Sequence, residues 1–461
     1  MNIASSRAMT RVIFSRRMLV ALLMGFSSGL PLLLPLTLLQ AWLTERGVSI
    51  KVIGLFALVG LPYIFKFVWA PLFDRYRVHF LGRRRGWLLT LQILLALSIA
   101  AIGLVGVPDA HLLITGNPAR IIGAHPFAPP LALLPGLVAN HIDALGSLLP
   151  GLLAVAAAAL LMAFFSASQD TVIDAYRRES LADGDEQSLG ASLYVWGYRA
   201  ATLFAGGIGL ILAAHMPFRE VFFIMAAAMG VGIITTTFIA REPQETGAAP
   251  QTLTHAVIDP LLEFFRLHQR ALVILAFILL YKLGDALATS LITTFYLKVG
   301  FSTETIGAIA KLFGAWALMG GVLTGGILIL RLGIYRALLL FGILQGVSTL
   351  SFAWLVHTGP AAGWLAAVVS LQNFTDGMGT AALLGYMATV TDRRYSATQF
   401  ALLSSLASVP RVVLSSFTGF MAVALGWPLF FIMCAVAAIP GLALIPFLEK
   451  PKAPVSGTEQ A

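Results

Sequence analysis

Charged residues and cysteine are both scarce in this chain of 461 residues. Only 11% of the residues are charged and 58% are hydrophobic, whereas about a quarter of the residues in a soluble domain are charged. The mean hydropathy is +0.88, so the composition indicates an integral membrane protein. The single cysteine, Cys434, excludes a disulfide within the chain.

The sequence also lacks the motifs of common enzymes and metal proteins: it contains no Walker loop, no HExxH motif and no paired cysteines. His111, His125 and His141 do not have metal-ligand spacing, and we expect neither a metal nor another cofactor. Gly25–Gly29 matches the GxSxG pattern of hydrolases, but that motif requires a strand before the serine. We interpret it as a GxxxG motif, which lets two membrane helices pack closely.

Twelve apolar segments are long enough to cross a bilayer, since a membrane helix needs about 20 mostly apolar residues. They lie near 18–41, 52–73, 87–106, 151–173, 190–214, 218–240, 271–297, 303–329, 335–356, 361–389, 398–423 and 427–448. Most lysines and arginines then fall on the side of both termini, and the opposite loops hold only Arg46, Lys51, Arg120, Arg219 and Lys298. The positive-inside rule therefore places both termini in the cytoplasm. The net charge of +9 follows from these loops and indicates no nucleic-acid partner.

The two halves of the chain repeat each other. Gly47–Gly54 aligns with Gly300–Gly307, and Gly197–Arg199 aligns with Val409–Arg411. The offset falls by about 40 residues between these pairs, which indicates an insertion in the first half. We predict an all-α membrane protein with 12 transmembrane helices in two pseudo-symmetric six-helix bundles around a midplane cavity. The predicted parts are an N-terminal bundle over 1–240 with a periplasmic insertion at 108–150, a cytoplasmic linker over 241–270, a C-terminal bundle over 271–449 and a flexible tail over 450–461.

Several ionisable side chains lie inside the predicted spans, where they are costly and usually functional. Lys282 and Asp285 are three residues apart in the seventh span, and Arg199 and Arg411 occupy matching places in the fifth and eleventh. Because arginine binds carboxylates through two parallel hydrogen bonds and lysine attracts them as a point charge, these cations favour an anionic substrate. The alternative is a set of structural ion pairs between the halves.

Three acids in the spans are candidates for proton coupling. Asp170, Asp285 and Asp376 belong to the fourth, seventh and tenth spans. Burial disfavours the ionised form of a carboxyl group, so each of them could take up a proton.

The loop between the second and third spans has an unusual composition. The apolar run ends at Asp74, Gly82 follows after a short loop, and Arg83–Arg85 precede the next apolar run. This resembles the helix 2–3 loop of the major facilitator superfamily, in which an acid, a glycine and a basic cluster join the two helices. We predict a cytoplasmic gate loop that also includes Lys66 and Asp174. The alternative, that the basic residues only fix orientation, explains the arginines but not Asp74 and Gly82.

Longer strings resemble one family within that superfamily, the AmpG muropeptide permeases. They include FSSGLPLLL (26–34), YIFKFVWAPLFDRY (63–76), GRRRGWLLTLQILL (82–95), LYKLGDALATSL (280–291) and SATQFALLSSL (396–406). The resemblance implies an inner-membrane importer of N-acetylglucosaminyl-1,6-anhydromuramyl peptides, driven by protons, that serves cell-wall recycling and, in some bacteria, β-lactamase induction. The insertion at 108–150 is longer than this family leads us to expect.

The implied substrate carries sugar hydroxyls, carboxylates and an amine. We expect glutamine and asparagine to hydrogen-bond the sugars and tyrosine to stack on them. The residues predicted for these contacts, besides the three cations, are Gln40, Tyr63, Gln169, Tyr198, Gln372 and Asn373. The expected partners are therefore a muropeptide, protons and the lipid bilayer, and we expect a monomer.

Two other functions stay open. The same architecture could transport another solute, such as a drug or an acyl-CoA. A membrane enzyme that acts on lipid-linked glycans would need acids and a metal site in long periplasmic loops, where only Asp109 and Asp143 lie. The sequence therefore favours a transporter over an enzyme.

Overall fold

The computed structural model describes residues 15–76, 78, 81–109, 134–181, 185–243, 259–391 and 396–448. Every regular element within these ranges is a helix, which confirms the predicted all-α class. A helix pairs its backbone groups within one segment, as a bilayer requires. Nine helices among these residues are long and apolar enough to cross a membrane, and the number of twelve crossings stays a prediction. The predicted tail, part of the linker and residues 110–133 of the predicted insertion lie outside the described ranges.

The helices of the first half are α1 (Arg16–Gly29), α2 (Gln40–Glu45), α3 (Ile50–Leu55), α4 (Leu61–Arg75), α5 (Arg83–Val105), α6 (Leu134–Ser180), α7 (Asp185–Leu203), α8 (Gly209–His215), α9 (Phe218–Ala228) and α10 (Gly230–Ile234). Short π-helices at Leu34–Leu39, Phe204–Ile208 and Thr235–Ile239 and a 3₁₀-helix at Phe56–Gly60 join some of them. Helix α6 begins at Leu134, within the predicted insertion, and continues through Pro150.

The helices of the second half are α11 (Asp259–Leu267), α12 (Ala271–Tyr281), α13 (Leu283–Ser290), α14 (Ile292–Val299), α15 (Thr303–Thr305), α16 (Gly314–Leu332), α17 (Ile334–Thr358), α18 (Ala362–Val390), α19 (Ser396–Val412), α20 (Thr418–Val436) and α21 (Ile439–Leu444). A π-helix at Ile306–Phe313 and 3₁₀-helices at Leu414–Phe417 and Ile445–Phe447 complete this half. Within α20 the chain turns at Gly426, whose φ of +70° suits glycine because it has no Cβ.

The chain divides into two compact units, Met1–Thr246 with Thr293–Ala308, and Gly247–Ile292 with Ile309–Ala461. In the first unit, α1 packs on α7 through its glycines. A Cβ on Gly25 would lie 2.0 Å from the main-chain oxygen of Tyr194, and one on Gly29 would lie 2.3 Å from that of Tyr198. The prediction that Gly25–Gly29 is a close-packing motif is therefore confirmed.

The second unit uses the same device between α16 and α18. A Cβ on Gly321 would lie 2.0 Å from the oxygen of Phe374, and one on Gly377 would lie 2.3 Å from that of Leu318. Small residues let membrane helices approach closely, so dispersion contacts and hydrogen bonds can hold them together.

The helix that holds the predicted seventh span is interrupted twice. Lys282, between α12 and α13, has φ −99° and ψ 9°, and Leu291, after α13, has φ −109° and ψ 18°. Neither residue has regular helical angles, and such broken helices frequently carry substrate and ion sites in transporters. The interruption places an ionisable side chain at a point where the regular backbone hydrogen bonds stop.

Candidate functional site

Lys282 is the centre of a polar cluster in the second unit. Its ammonium forms an ion pair with Asp376 on α18 and lies 3.8 Å from the carboxylate of Asp285 on α13. The side chains of Lys282, Asp285 and Asp376 are 14%, 10% and 28% exposed. The sequence-based expectation that Lys282 and Asp285 share a helix face holds, but Asp376 is the nearer partner of Lys282.

Gln345 on α17 bridges this ion pair. Its Oε1 accepts a hydrogen bond from Lys282 Nζ at 3.1 Å, and its Nε2 donates to Asp376 Oδ1 at 3.3 Å. Gly379 leaves room for the amide, because a Cβ there would lie 2.8 Å from Gln345 Oε1. Sequence reasoning missed Gln345, although a glutamine inside an apolar span was itself a signal of buried polar contacts.

Gln372, which the sequence predicts to bind sugar, bonds Asp285 in the structure. Its Nε2 donates to Asp285 Oδ1 at 2.9 Å, and its Oε1 accepts from the hydroxyl of Ser348 at 2.7 Å. The Ser348 hydroxyl also lies 2.8 Å from that of Thr375. Gln372 therefore bonds Asp285, whereas Gln345 interacts with both acids.

Arg411 lies near the cluster, and Lys311 lies near Arg411. Arg411 is exposed near the end of α19, and its charge acts on Asp285, Asp376 and Lys311. Lys311 is half-buried on the π-helix Ile306–Phe313. Among the residues that the structure describes, neither Arg411 nor Lys311 makes an ion pair or a side-chain hydrogen bond. Both cations are therefore available to an anion, and sequence analysis had not selected Lys311.

The first unit holds a second acidic site around Asp170 on α6. Asp170 Oδ1 accepts a hydrogen bond from Ser28 at 2.5 Å, and the Ser28 hydroxyl lies 2.7 Å from that of Tyr194. The charge of Lys66 acts on Asp170. Lys66, predicted as part of the gate loop, therefore lies near the predicted proton-coupling acid.

Several other side chains predicted to bind substrate already make hydrogen bonds within the protein. Gln169 is buried, and its Nε2 donates to the main-chain oxygen of Ser27 at 3.1 Å. Gln40 is also buried, and its Oε1 accepts from the main-chain N–H of Thr293 at 3.2 Å. Tyr63 donates to the Ser166 hydroxyl at 2.8 Å. Further members of the predicted set are Tyr198, whose ring lies 6.4 Å from that of Tyr194, and Asn373 of the second unit, whose Nδ2 lies against α16 at Gly314.

Arg199 on α7 is exposed. Its guanidinium has no ion pair and no hydrogen bond to any part of the chain that the structure describes. Arg199 and Arg411 therefore resemble each other in environment as well as in their place in the sequence repeat. Structural pairing, the alternative that the sequence left open, has no support from the described contacts of either residue.

The predicted gate loop is held together at the start of α5. The main-chain N–H groups of Arg84 and Arg85 donate to the carboxylate of Glu242 at 2.7 and 3.0 Å. An anion is stabilised here because the first N–H groups of a helix have no partner within it. Gly82 has a φ of +89°, and a Cβ there would lie 2.6 Å from Glu242 Cδ. Only glycine fits this position without strain.

The arginine side chains of this loop are equally occupied. Arg84 bonds both carboxylate oxygens of Glu179 on α6, and Arg83 lies 3.3 Å from the same group. Arg85 donates to the main-chain oxygens of Thr236 and Thr237 at 3.0 and 2.8 Å. Three segments of the first unit are thereby joined, and sequence analysis had found the arginines but neither acid.

The two other acids of the predicted gate, Asp74 and Asp174, stay a prediction. Asp174 pairs with Arg177 on its own helix at 3.3 Å, so its described ion pair is local. The side chain of Asp74 lies outside the described residues.

Comparison with known proteins agrees with this arrangement. Residues 17–413 match the Major Facilitator Superfamily. The anhydromuropeptide permease of Escherichia coli K12 is 40% identical over 437 residues, which cover 94% of this chain and 80% of the relative. A putative AmpG transporter of Rickettsia felis is 28% identical and covers 96% of this chain and 98% of its own length. The chain therefore belongs to the major facilitator superfamily and, within it, to the AmpG permease family.

Solved structures show the same fold. A nucleoside transporter, NupG, has a TM-score of 0.66 at 12% identity and covers 94% of this chain and 100% of its own. A transporter of the POT family, solved with 5-aminolevulinic acid, has a TM-score of 0.63 at 11% identity. The match covers 93% of this chain and 95% of the transporter. The predictions of a major facilitator fold and of a multi-pass membrane transporter rather than an enzyme are confirmed.

Proposed function

We propose that the chain imports N-acetylglucosaminyl-1,6-anhydromuramyl peptides across the bacterial inner membrane for cell-wall recycling. Import is driven by protons and works by alternating access of the site to the two sides. The observation that carries this proposal is the 40% identity to the E. coli anhydromuropeptide permease, which extends over 94% of the chain. The excess of lysine and arginine in the loops supports an orientation with both termini in the cytoplasm.

The substrate's carboxylates are the natural partners of the cations inside the spans. Arg199 and Arg411 have no partner among the described residues, so they can bind a carboxylate without first breaking an ion pair. Lys282 binds one by exchanging Asp376 for the substrate. Desolvated hydrogen bonds to charged groups are worth about 1.5–3 kcal/mol each, enough to orient a flexible peptide stem.

The sugar rings are contacted by the polar and aromatic side chains. Tyr63, Tyr198 and Asn373 provide stacking faces and hydrogen-bond groups. Gln40 and Gln169 already bond protein groups, so their part in binding requires an exchange of hydrogen bonds.

Proton coupling is assigned to acids in both units. Asp170 belongs to the first unit, and Asp285 and Asp376 belong to the second. Each lies near a lysine, Lys66 or Lys282, so uptake of a proton changes the charge of the site by one unit. The change alters how strongly the site holds an anion, which is the physical basis of coupling.

The remaining parts of the chain have supporting roles. The six-helix bundles over 1–240 and 271–449 carry the site as a monomer, the linker over 241–270 tethers them, and the insertion at 108–150 faces the periplasm. The loop at Gly82–Arg85, with Lys66, Asp74 and Asp174, forms the cytoplasmic gate.

The test is uptake of labelled anhydromuropeptide into vesicles that contain the purified protein, with and without an inward proton gradient. We expect accumulation only with the gradient, and no uptake of an acyl-CoA or a drug cation under the same conditions. Uptake of another solute without uptake of anhydromuropeptide would support the alternative transporter function. Absence of vectorial uptake of any of them would contradict the proposal.

A further inference from the structure

We propose that Asp285, and not Asp376, is the proton-binding carboxylate of the second unit, and that Gln372 and Ser348 adapt to its protonation by reversing their hydrogen bonds. This inference rests on the proposed proton coupling, because it names which of the two neighbouring acids carries the proton. It gives Gln372 a role in proton binding in place of the sugar contact expected from the sequence.

The two acids differ in how well their negative charge is compensated. Asp376 receives the Lys282 ion pair, a hydrogen bond from Gln345 at 3.3 Å and one from Thr380 at 3.4 Å. Asp285 receives a hydrogen bond from Gln372 at 2.9 Å, shares Gln345 with Asp376 and lies 3.8 Å from Lys282. It is also the less exposed, at 10% against 28%. Burial with fewer compensating partners favours the neutral acid.

Other charged and titratable groups around Asp285 do not change this order. Lys282, just before its own helix, faces it, and Asp376 faces it from α18. Arg411 acts on it from α19, and the Cys434 thiol lies near it on α20. Arg411 acts on Asp376 as well, so its charge does not by itself select one acid.

Asp285 also borders a small cavity that Asp376 does not line. The cavity has room for about one water molecule, and Tyr281, Gln345, Thr349 and Cys434 are among its other lining residues. A water held there gives a proton a route to the Asp285 carboxyl, whereas the Asp376 carboxylate is engaged in the ion pair with Lys282.

The hydrogen bonds around Asp285 can reverse without displacement of the main chain. When Asp285 is ionised, Gln372 Nε2 donates to it and the Ser348 hydroxyl donates to Gln372 Oε1. A protonated Asp285 instead donates its O–H to Oε1 after the amide of Gln372 has turned over. Nε2 then donates to Ser348 Oγ, and the Ser348 hydroxyl donates to the Gln345 main-chain oxygen, which already lies 2.8 Å away. Every polar group keeps a partner in both states, so protonation leaves no buried group unsatisfied.

The test is infrared difference spectroscopy of the purified full chain on acidification, which follows the C=O band of a carboxyl group as it becomes protonated. We expect Asp285→Asn to remove a titrating band that Asp376→Asn retains, while Glu304→Gln, on an exposed carboxylate, leaves that band unchanged. A band that Asp376→Asn removes and Asp285→Asn retains would overturn the inference. So would the absence of any titrating band that Asp285→Asn removes.

A second pair of variants keeps the test meaningful if Asp285→Asn fails to fold. Gln372→Leu removes the donor to the ionised carboxylate, so the midpoint of the band should move to higher pH by about one unit. Thr380→Val, which removes a donor to Asp376, should move it less; the reverse order would contradict the proposal. These measurements need no substrate. If the wild type shows the Asp285 band but no uptake of anhydromuropeptide, the proposed function fails and the proton site stands.

Discussion

The arginines at the start of α5 and the cations inside the spans differ in how fully they are bonded. Arg84 bonds the carboxylate of Glu179. Arg85 donates hydrogen bonds to the carbonyl oxygens of Thr236 and Thr237. Arg199 has no such partner among the described residues. A cation that is already paired with the protein contributes to stability, whereas a cation without a partner in a poorly solvated site is available to a ligand. Residue type alone does not separate these roles.

The largest effect on stability is expected where the pairing is most complete. Arg84→Ala leaves Glu179 without its main partner, and removing one member of a largely buried ion pair costs about 3 kcal/mol. Thermal unfolding in detergent measures the change. The double variant Arg84→Ala with Glu179→Ala should recover part of the loss, and a double variant no more stable than the single one would show that the pair is not the cause.

The next largest effect concerns the cations of the proposed substrate site. Arg199→Ala and Lys282→Ala should each lower uptake of anhydromuropeptide about 100-fold, since each removes a charge-assisted contact to the substrate. Stability of the Arg199 variant should stay close to that of the wild type, because no described partner is lost. Lys298→Ala, on an exposed lysine at the end of α14, is the matched control. Wild-type uptake in both variants would remove these cations from the proposed site.

A smaller effect is expected at Gly82. Gly82→Ala combines a positive φ with a Cβ placed 2.6 Å from Glu242, and backbone strain of this kind costs about 1–2 kcal/mol. The glutamate side chain can move away, so we expect a lower unfolding temperature with the fold retained. Glu242→Ala should relieve the contact and make the glycine substitution less costly, which a double-mutant cycle would detect.

The smallest effect is expected at the ion pair of Asp174 with Arg177. Both lie on one helix three residues apart, with side-chain exposures of 41% and 22%, and such partly exposed pairs contribute at most about 0.5 kcal/mol. Asp174→Asn should therefore leave the unfolding temperature nearly unchanged. A decrease in unfolding temperature as large as that of Arg84→Ala would mean that Asp174 stabilises the fold as much as the ion pair of Arg84 with Glu179 does.

Much of the architecture could be read from local sequence. Apolar runs such as that of α17 exceed the length that a bilayer requires, and glycine spacing identified the α1 surface that packs on α7. The basic cluster of the gate loop was also visible, because three arginines between two apolar runs have no place inside the bilayer. These features depend on residues that are near one another in the chain.

The partners of those residues could not be read in the same way. Glu242 reaches Arg84 across 158 positions, and Lys282 reaches Asp376 across 94. The three-residue spacing predicted that Lys282 and Asp285 would pair. The helix break at Lys282 changes the local geometry, however, and Asp376 approaches Lys282 from another helix. Gln345 and Gln372 decide how each acid is compensated, and no local pattern distinguishes a bridging glutamine from one that faces a substrate.

The sequence by itself determined that this chain is a helical membrane protein, where its apolar segments lie and which rare ionisable residues they contain. These properties depend on the free energy of transferring a short segment into the bilayer, which is a sum over neighbouring residues. Only the tertiary structure decided which of those residues are paired with each other. A hydrogen bond or an ion pair requires two groups within about 3–4 Å, and for residues on different helices that distance is set by how the helices pack.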